Sequence, residues 1–356
     1  MNKVNPFPIY LPNMKRVLPR SLKLPAGGVD FTSNDYLGLS RSPVLYQMIV
    51  DSMAALRLKR NGSTGSRLLS GNSALIEDTE KKLAGIFQSE SALVFDSGYS
   101  ANLAVLSALP QRGDTIIMDE LSHASLKDGA RLSLATKWNF RHNDLEDLRK
   151  KLTSATGEKW IVVESLYSMD GDECPREEIF SLAEDLNAHV IMDEAHTTGL
   201  RDSAASQHIH VYTFGKAMGI HGACICSSAE IKNQLVNFSR PFIYTTAPSD
   251  HSVVSISCAF DFLKENQHLR QQLRSNIDYF RSLSPTSRST SQIQIIIIPG
   301  HDKVLKAASD LQAKGFDVRP ILSPTVRSGQ ERLRICLHAF NTKKEIKDLA
   351  DAINGL

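Results

Sequence analysis

Two stretches of the chain decide the fold and point to its chemistry, Val190-Ile-Met-Asp-Glu-Ala-His196 and Tyr212-Thr-Phe-Gly-Lys216. In the first, an apolar run ends in Asp193, and His196 follows. In the second, an apolar run ends at Thr213, and Lys216 stands among small residues. An acid, a histidine, a threonine and a lysine are the groups needed to hold a pyridine ring, its phosphate and its aldehyde. The two stretches therefore predict a site for pyridoxal 5'-phosphate (PLP).

Both stretches belong to a longer series of short apolar runs with helix-like segments between several of them. The runs occupy residues 92–95, 115–118, 160–163, 190–192, 210–212 and 223–226, and the helix-like segments include 100–109, 144–152 and 176–186. This alternation predicts an α/β domain whose largely parallel sheet is covered on both faces.

The pattern changes after residue 260. We expect a long polar helix over 260–283, a strand over 293–298, a helix over 303–314, a strand over 332–337 and a closing helix capped by Asn341-Thr342. These elements predict a smaller α+β domain. The predicted division is an N-terminal arm (1–40) that begins rich in proline and basic residues, a large PLP-binding domain (41–262) and a small C-terminal domain (263–356).

The composition is that of an ordinary globular protein. Of the 356 residues, 42% are hydrophobic and 22% are charged, and the net charge of +2 gives no reason to expect nucleic acid or a membrane surface as a partner. The five cysteines show no disulfide framework or metal-ligand spacing, and no apolar signal-peptide core follows Met1. We therefore expect a cytoplasmic protein, with Cys224 and Cys226 as buried strand thiols.

Ligands of open α/β sheets gather outside the carboxyl ends of the strands. After the run 92–95 comes Asp96-Ser97-Gly98-Tyr99, a small turn into a helix that can present backbone N–H groups to a phosphate. The same turn is also the form of an ordinary strand-to-helix connection. His123 begins another helix, where it can lie flat on an aromatic cofactor or serve as a cap or surface residue. Taken alone, these positions leave both interpretations open.

Asp193 and Lys216 form the most informative pair. A carboxylate at a buried strand end requires a partner, which a protonated pyridine nitrogen can provide, and His196 can donate to the phenolic oxygen of the ring. Burial lowers the pKa of a lysine, and Lys216 has small neighbours, so it can form a Schiff base. Asp193-Glu-Ala-His196 also matches a helicase-type box, but the G-x-x-x-x-G-K-[ST] phosphate loop that a helicase needs is missing upstream.

Two arginines, Arg332 and Arg334, lie on one face of the predicted strand near the C-terminus. They are either exposed edge residues or a clamp for the carboxylate of an amino-acid substrate, a role that suits the planar guanidinium group. The glycine-rich segment 61–71 is predicted to be a loop that shapes a substrate pocket.

These motifs resemble those of the α-oxoamine synthases, PLP enzymes of fold type I. The resemblance extends from Asp30-Phe-Thr-Ser-Asn34-Asp-Tyr-Leu-Gly-Leu39 to Arg332-Leu-Arg334, and includes Leu121-Ser-His123, Ser168-Met-Asp-Gly-Asp172, Asp193-Glu-Ala-His196 and Thr213-Phe-Gly-Lys216. It implies a large domain with a mostly parallel seven-stranded sheet, a smaller α+β C-terminal domain, and a homodimer with shared active sites.

The resemblance also implies a role for each matching residue. Lys216 would bind PLP covalently, Asp193 would pair with the pyridine nitrogen, and His123 would stack on the ring. His196 and Ser168 would contact the ring oxygen. The phosphate would be surrounded by Ser97, Gly98, Tyr99 and Thr213, together with Thr245 or Thr246 supplied by the other subunit of the dimer. The carboxylate of the amino acid would be held by Asn34 and Arg334.

The implied reaction is the decarboxylative condensation of L-alanine with a pimeloyl thioester to 8-amino-7-oxononanoate, CO2 and a free thiol, a step of biotin biosynthesis. The thioester carrier, coenzyme A or a carrier protein, stays open. Alternatives are a sister acyltransferase, which would join glycine to acetyl-CoA or serine to a palmitoyl thioester, and a catalytically silent PLP-fold subunit. The segment 199–211 is shorter than the family's usual connection, and this difference bears on the acyl-chain preference.

Overall fold

The structure, a computed structural model, describes residue 22, residues 27–284 and residues 289–356. Its strands are β1 (Val29–Asp30), β2 (Ser91–Phe95), β3 (Thr115–Asp119), β4 (Thr136–Phe140), β5 (Lys159–Glu164), β6 (Ala188–Asp193), β7 (Ile209–Thr213), β8 (Ala223–Ser227), β9 (Ile293–Ile297), β10 (Phe316–Asp317), β11 (Arg319–Ile321) and β12 (Arg332–Cys336). Its α-helices are α1 (Pro43–Ala55), α2 (Ala74–Ile86), α3 (Gly98–Ala108), α4 (Ala124–Leu132), α5 (Leu145–Ser154), α6 (Arg176–Asp185), α7 (Ala229–Phe238), α8 (Arg240–Ile243), α9 (Asp250–Glu265), α10 (His268–Leu283), α11 (His301–Ala313) and α12 (Lys343–Asn354).

Seven strands form the main sheet in the order β2-β8-β7-β6-β5-β3-β4. Strand β8 runs antiparallel to both of its neighbours, and the other neighbouring pairs are parallel. Every residue of β2, β3, β7 and β8 is buried, as expected for strands that are covered on both faces. The predicted α/β class and the mostly parallel seven-stranded sheet are confirmed.

Helices cover both faces of this sheet because successive strand residues point in opposite directions. On one face, Leu93 and Ile116 belong to a hydrophobic cluster that includes buried side chains of α3, α4 and α7. On the other face, Ile117 and Met192 pack in a cluster with α5 and α6. Full burial of each such side chain contributes roughly 1.5–3 kcal/mol, so the two layers hold the strand ends in fixed positions.

Two elements differ from the sequence-based expectation. Strand β4 at the sheet edge was not predicted, because polar residues interrupt its two aromatic residues and leave no apolar run. The single long helix expected over 260–283 is wrong: α9 ends at Glu265 and α10 begins at His268. The helix stops because the side chains of Asn266 and Gln267 donate to the carbonyl oxygens of Phe262 and Leu263 (2.8 and 2.9 Å), which meets part of the hydrogen-bonding need of the last turn.

The C-terminal part contains a three-stranded antiparallel sheet in the order β11-β12-β9. Helix α12 begins, as predicted, with Thr342 as its N-cap, in a capping box with Glu345. Strand β1 pairs in parallel with β10, so a segment near the start of the chain packs on the C-terminal part here.

The predicted N-terminal arm lies partly outside the described residues, over 1–21 and 23–26. The described part of that segment is packed, because Phe31 and Tyr36 are fully buried and the Cys336 N–H donates to the Phe31 carbonyl at 2.8 Å. From Val29 onwards the segment is therefore integrated into the core, which corrects the expectation of an arm for these residues. The division of the rest of the chain into a large and a small domain stays a prediction.

The five cysteines are free and buried, and Cys224 and Cys226 lie in β8 as predicted. None of the helices in the described part of the chain has both the length and the apolar character that crossing a membrane requires.

Candidate active site

Most of the predicted site residues lie where strands of the main sheet end. Ser97 and Gly98 follow β2, His123 follows β3, and Ser168 follows β5. Asp193 is the last residue of β6 and Thr213 the last of β7, with His196 and Lys216 three residues further along. Because these strands are parallel, their carboxyl ends form one edge of the sheet, and the fold brings this set together.

Asp193 is buried and is held by two N–H donors. The Asn102 side chain of α3 donates to its Oδ2 at 2.7 Å, and the Ala195 backbone N–H donates to its Oδ1 at 2.8 Å. Asn102 also donates to Ser125 Oγ at 2.9 Å, which connects the carboxylate to α4. Two donors from different elements fix the orientation of the carboxylate.

Lys216 is half-buried in the same region, and its burial lowers the pKa of its amine. The negative charges of Asp193 and Glu164 oppose this shift, and the positive charge of Arg334 reinforces it. Glu164 and Asp193 are register partners at the ends of β5 and β6, and Lys216 follows the end of the neighbouring strand β7. A lowered pKa increases the fraction of neutral amine, the form that acts as nucleophile or base.

His123 is the N-cap of α4, and its ring and backbone are both held in place. Its Nδ1 lies 2.8 Å from Ser125 Oγ, and its backbone N–H donates to Glu164 Oε1 at 2.6 Å. Burial lowers the pKa of His123. Burial and the nearby Asp193 charge raise the pKa of Glu164 to about 8. A neutral imidazole and a largely protonated Glu164 therefore face the pocket near pH 7.

A cradle for an anion lies between β7 and the start of α3. Ser97 caps α3 by accepting the Ser100 N–H at 3.2 Å. A Cβ on Gly98 would lie 2.3 Å from Thr213 Cγ2, so only glycine allows this close approach. Thr213 Oγ1 is buried and has no hydrogen-bond partner among the described residues. The free N–H groups of the first helical turn and this unpaired hydroxyl suit a phosphate group. The Tyr99 hydroxyl donates a hydrogen bond to Asp128, and the side chain is half-exposed. Only the backbone of Tyr99 therefore contributes to the cradle.

Arg334 is buried in β12, the central strand of the small sheet, and so is not an exposed edge residue. Its Nε donates to the Ser168 carbonyl at 2.6 Å and its Nη2 to Asn34 Oδ1 at 3.0 Å. Arg332 forms an ion pair at 2.5 Å with Asp170, which lies in the same loop as Ser168. The structure thus joins Asn34, Ser168 and Arg334, the predicted carboxylate-binding residues and a predicted ring contact.

His196 is buried, with Nδ1 2.7 Å from the hydroxyl of Tyr36. The Tyr36 hydroxyl also lies 2.9 Å from Asn34 Oδ1. Burial, together with the positive charges of Lys216 and Arg334, holds the pKa of His196 well below its usual value. The adjacent Glu194 has different partners, because its carboxylate is hydrogen-bonded to Arg176 (2.6 Å) and His210 (3.0 Å). The acidic residues of the Asp193–His196 motif therefore do not face one common site, as those of a helicase box would.

Thr245 and Thr246 are the predicted site residues that the single chain does not bring into this pocket. They follow α8; Thr245 is half-buried and Thr246 is exposed, and no hydrogen bond in the described residues links either to the other site residues. Their turn packs on the glycine-rich segment, since the Ala247 N–H donates to the Gly65 carbonyl at 2.9 Å. This placement fits residues that act across a subunit boundary.

Three residues of the pocket were not predicted: Glu164, Asn102 and Tyr36. Glu164 ends the apolar run of β5, and Asn102 interrupts the apolar residues of α3, so a polar residue in an apolar run was the available signal for both. Tyr36 gives no such signal, because its partners come from distant parts of the chain.

Comparisons with known proteins agree with this geometry. Residues 26–353 match the family model described as aminotransferase class I and II. The chain belongs to the aminotransferase class I and II family. It is 38% identical to the 8-amino-7-oxononanoate synthase of Emericella nidulans, over 93% of this chain and 89% of that protein.

Solved structures show the same fold. An 8-amino-7-oxononanoate synthase from Francisella tularensis superposes with a TM-score of 0.78 at 27% identity and covers 92% of this chain and 97% of its own. A variant serine palmitoyltransferase from S. paucimobilis with bound PLP and myriocin gives a TM-score of 0.84 at 26% identity, over 91% of this chain and 86% of its own. The predicted resemblance to the α-oxoamine synthases and the predicted cofactor, PLP, are confirmed.

The residues present fit PLP. Lys216 offers an amine of lowered pKa, Asp193 offers an oriented carboxylate, and the unpaired Thr213 hydroxyl beside Gly98 offers a place for the phosphate. The roles of the individual residues remain predictions.

Proposed function

We propose that this chain catalyses the condensation of L-alanine with a pimeloyl thioester to 8-amino-7-oxononanoate, CO2 and free thiol. Two observations carry the proposal: Asp193 and Lys216 lie at the carboxyl ends of the neighbouring strands β6 and β7, and Arg334 and Asn34 are hydrogen-bonded as a candidate clamp for an amino-acid carboxylate. The substrate assignment draws on the 38% identity to an 8-amino-7-oxononanoate synthase over most of both chains.

PLP, when bound, supplies an electron sink for negative charge that develops at the Cα atom of the amino acid. Asp193 would support this chemistry by facing the cofactor's ring nitrogen, because Asn102 and Ala195 already fix its orientation. His123 would lie against the ring, and His196 and Ser168 would stand near its phenolic oxygen. Ser97, Gly98, the Tyr99 backbone and Thr213 would bind the phosphate.

Arg334 and Asn34 would orient alanine through its carboxylate. A guanidinium group binds a carboxylate with two parallel hydrogen bonds, which sets the position of Cα as well as the charge. The Lys216 amine, whose pKa is lowered by burial, would then take the Cα proton as a general base. The carbon that lost the proton attacks the thioester carbonyl, and the thiol leaves. Loss of CO2 and return of a proton to Cα complete the product.

The proposal is tested by mass spectrometry of the products from L-alanine and pimeloyl-CoA. We expect 8-amino-7-oxononanoate from the wild-type protein and none from Lys216→Ala, which also loses the visible absorbance of bound PLP. Lys306→Ala, at an exposed lysine of α11, is the control and keeps both signals. Absence of this product from a PLP-loaded wild-type protein would rule out the substrate assignment.

A second candidate is the condensation of serine with a long-chain acyl thioester. It is supported by the TM-score of 0.84 to serine palmitoyltransferase. Rates measured with alanine, serine and glycine against pimeloyl-CoA, palmitoyl-CoA and acetyl-CoA separate the candidates, since the true pair should exceed the others in kcat/KM.

We also propose a homodimer in which Thr245 or Thr246 of one subunit reaches the phosphate in the other. The turn that carries them is solvent-accessible, and the large side chains of Tyr46, Leu69 and Tyr244 are exposed. Exposed apolar side chains of this size are typical of a surface that a second subunit covers. The proposed site of action is the cytoplasm, which is in keeping with five free buried thiols.

A further inference from the structure

A chain of three hydrogen bonds runs from Asp193 to His123 through Asn102 and Ser125. The side-chain nitrogen of Asn102 lies 2.7 Å from Asp193 Oδ2 and 2.9 Å from Ser125 Oγ. Ser125 Oγ in turn lies 2.8 Å from His123 Nδ1. Asp193, Asn102 and Ser125 are buried, so water does not compete for these bonds. The chain therefore connects the carboxylate at the end of β6 with the histidine that caps α4.

The direction of each bond in this chain follows from the one before it. The Asp193 carboxylate can only accept, so the nitrogen of the Asn102 amide faces it. The second hydrogen of the same NH2 group goes to Ser125 Oγ. A serine hydroxyl has one hydrogen, and within the described part of the chain Ser125 Oγ has no acceptor other than His123 Nδ1. The hydroxyl hydrogen therefore points to His123.

His123 Nδ1 also receives a donor that does not depend on this chain. The backbone N–H of Ser125 donates to it at 3.2 Å in the N-cap of α4. A backbone N–H can only donate, so Nδ1 must present its lone pair. Burial lowers the pKa of His123, which favours the neutral ring. A neutral imidazole that accepts at Nδ1 carries its hydrogen on Nε2.

We propose that Ser125 is a positioning residue that fixes His123 as the neutral Nε2–H tautomer, and that Asn102 directs the Ser125 hydroxyl towards it. The inference rests on the proposed function in one respect: His123 would lie against the PLP ring. His123 is exposed in the single chain, and its Nε2 has no hydrogen-bond partner among the residues that the structure describes. The Nε2–H group is therefore available to donate to a bound ligand.

A ring fixed in this way can donate a hydrogen bond, but it has no lone pair left for a proton. Protonation at Nδ1 would break both bonds that Ser125 makes to it. The Cα proton of alanine would therefore go to Lys216, and His123 would act as a donor beside it. Ser125 thus separates the roles of two groups that could both act as bases.

The charged or titratable side chains that act on His123 come from several parts of the fold; they are Asp193, Asp128, Lys216, Lys127 and Glu164, which accepts the His123 backbone N–H. The two aspartates favour the protonated ring, and the two lysines oppose it. A change at Ser125 alters none of these side chains. A change in His123 protonation in a Ser125 variant therefore reports the lost hydroxyl bond.

The test is 15N NMR of the PLP-loaded protein with labelled histidine, in which the His123 signals are identified by their loss in His123→Gln. We expect the neutral Nε2–H tautomer in the wild type. Ser125→Ala keeps the backbone bond but loses the hydroxyl bond, so the ratio of protonated to neutral His123 at a given pH should increase about three- to tenfold. Ser107→Ala is the matched control, because Ser107 donates to the Leu103 carbonyl within α3, and it should match the wild type.

The part played by Asn102 is tested with Asn102→Ala and with the double variant Asn102→Ala/Ser125→Ala. Loss of Asn102 removes a donor from Asp193 and from Ser125, so it should favour the protonated ring by both routes. Only the route through Asp193 remains in the double variant. The effect of the double variant on His123 protonation should therefore be smaller than the sum of the two single effects. Additive effects would show that Asn102 does not act through Ser125.

A wild-type Nδ1–H tautomer, or an unchanged protonation ratio in Ser125→Ala, would overturn the proposal. The wild-type spectrum alone decides on the tautomer if a variant does not fold. The NMR result does not depend on turnover. A wild-type protein that fails to condense alanine would therefore contradict the proposed function and leave the His123 assignment standing.

Discussion

Burial sets the ionisation of the individual residues in the pocket. It lowers the pKa of Lys216 and of His196, and it raises the pKa of Glu164 to about 8. All three shifts favour the neutral form, as expected where charged groups lose their hydration. Beside these groups, the Asp193 carboxylate accepts two N–H donors that fix its orientation. The pocket therefore places one oriented carboxylate among groups that tend to be neutral.

Glu164→Gln should change the pH dependence of stability. A carboxyl group whose pKa rises from 4.5 to about 8 on folding binds more protons in the folded state, so the wild-type protein loses stability as the pH rises through that window. We expect the melting temperature of the PLP-free variant to fall less between pH 5 and pH 8 than that of the wild type. The exposed Glu146→Gln should follow the wild type. Parallel curves for Glu164→Gln and the wild type would contradict the assigned shift.

Single residues could be predicted from the sequence where a reactive side chain ends an apolar run. Asp193 and Thr213 satisfy this rule, and the structure places each at the expected strand end, with Lys216 three residues beyond Thr213. Tyr36 could not be predicted, because its partner His196 is 160 positions away and its own segment carries the signature of a loop. Long-range pairing of this kind is fixed by the topology and leaves no local pattern.

At the level of elements, the cofactor cradle depends on how closely α3 approaches the end of β7. The approach is possible because Gly98 has no side chain to meet Thr213. The alternation of strands and helices could be predicted from the apolar runs of the sequence, which correspond to six of the seven strands of the main sheet. It could not give β4, whose exposed polar residues carry no apolar run, or the break between α9 and α10, which depends on side-chain capping by Asn266 and Gln267.

Gly98→Ala should separate α3 from β7. The added Cβ would lie 2.3 Å from Thr213 Cγ2, and overpacking of this kind costs about 1–3 kcal/mol. We expect weaker PLP binding in an absorbance titration and a lower free energy of unfolding. Gly85→Ala in α2 is the control: its Cβ meets nothing within 4 Å, and the change should stabilise the protein by about 0.5–1 kcal/mol. Equal PLP affinity in Gly98→Ala and the wild type would show that the close approach is not needed.

His142 ties the loop after β5 to the end of β3. Its Nδ1 lies 3.0 Å from Asp119 and its Nε2 2.7 Å from Asp172, and these two acids raise its pKa to about 10 despite partial burial. The loop contains Ser168 and Asp170, whose oxygens accept from Arg334 and Arg332. Through His142, the end of β3 thus helps to hold the loop that contacts Arg334 and Arg332.

His142→Gln should destabilise the protein by about 1–3 kcal/mol, because it removes hydrogen bonds to two carboxylates. A histidine with a raised pKa contributes stability that is complete below pH 6.5 and is lost as the pH rises through about 10. The difference between wild type and variant in chemical denaturation should therefore shrink between these values. His189→Gln, at an exposed histidine, is the control and should show no such trend. A difference that is constant with pH would contradict the charged state of His142.

At the level of the whole molecule, the site is assembled from both ends of the chain. Lys216 and Asp193 come from the main sheet, Arg334 comes from the small sheet, and Asn34 comes from the segment that joins β1 to α1. The placement of Thr245 and Thr246 away from this pocket leaves a contribution for a second subunit. This architecture explains why the reaction would need a complete chain and, in our proposal, a dimer.

Mixing two inactive variants tests the shared site. Lys216→Ala and the double variant Thr245→Ala/Thr246→Ala should each have low activity as separate homodimers. If the threonines act across the boundary, hybrid dimers contain one intact site, and random subunit exchange should restore about a quarter of the wild-type rate. Activity of the mixture equal to the mean of the two separate variants would show that each chain builds its site alone. Sedimentation velocity would confirm that both variants are dimeric.

The hydrogen bond between Arg334 and Asn34 joins residues 300 positions apart, and β1 pairs with β10 near the other end of the chain. During synthesis, the N-terminal segment therefore cannot form these contacts until almost the whole protein has emerged from the ribosome. The main sheet can form before translation ends, whereas the residues that we propose bind the amino acid come together only when the last strand has emerged. Premature termination shortly before β12 would leave a polypeptide that contains the main sheet but lacks Arg334, the residue that we propose binds the substrate carboxylate.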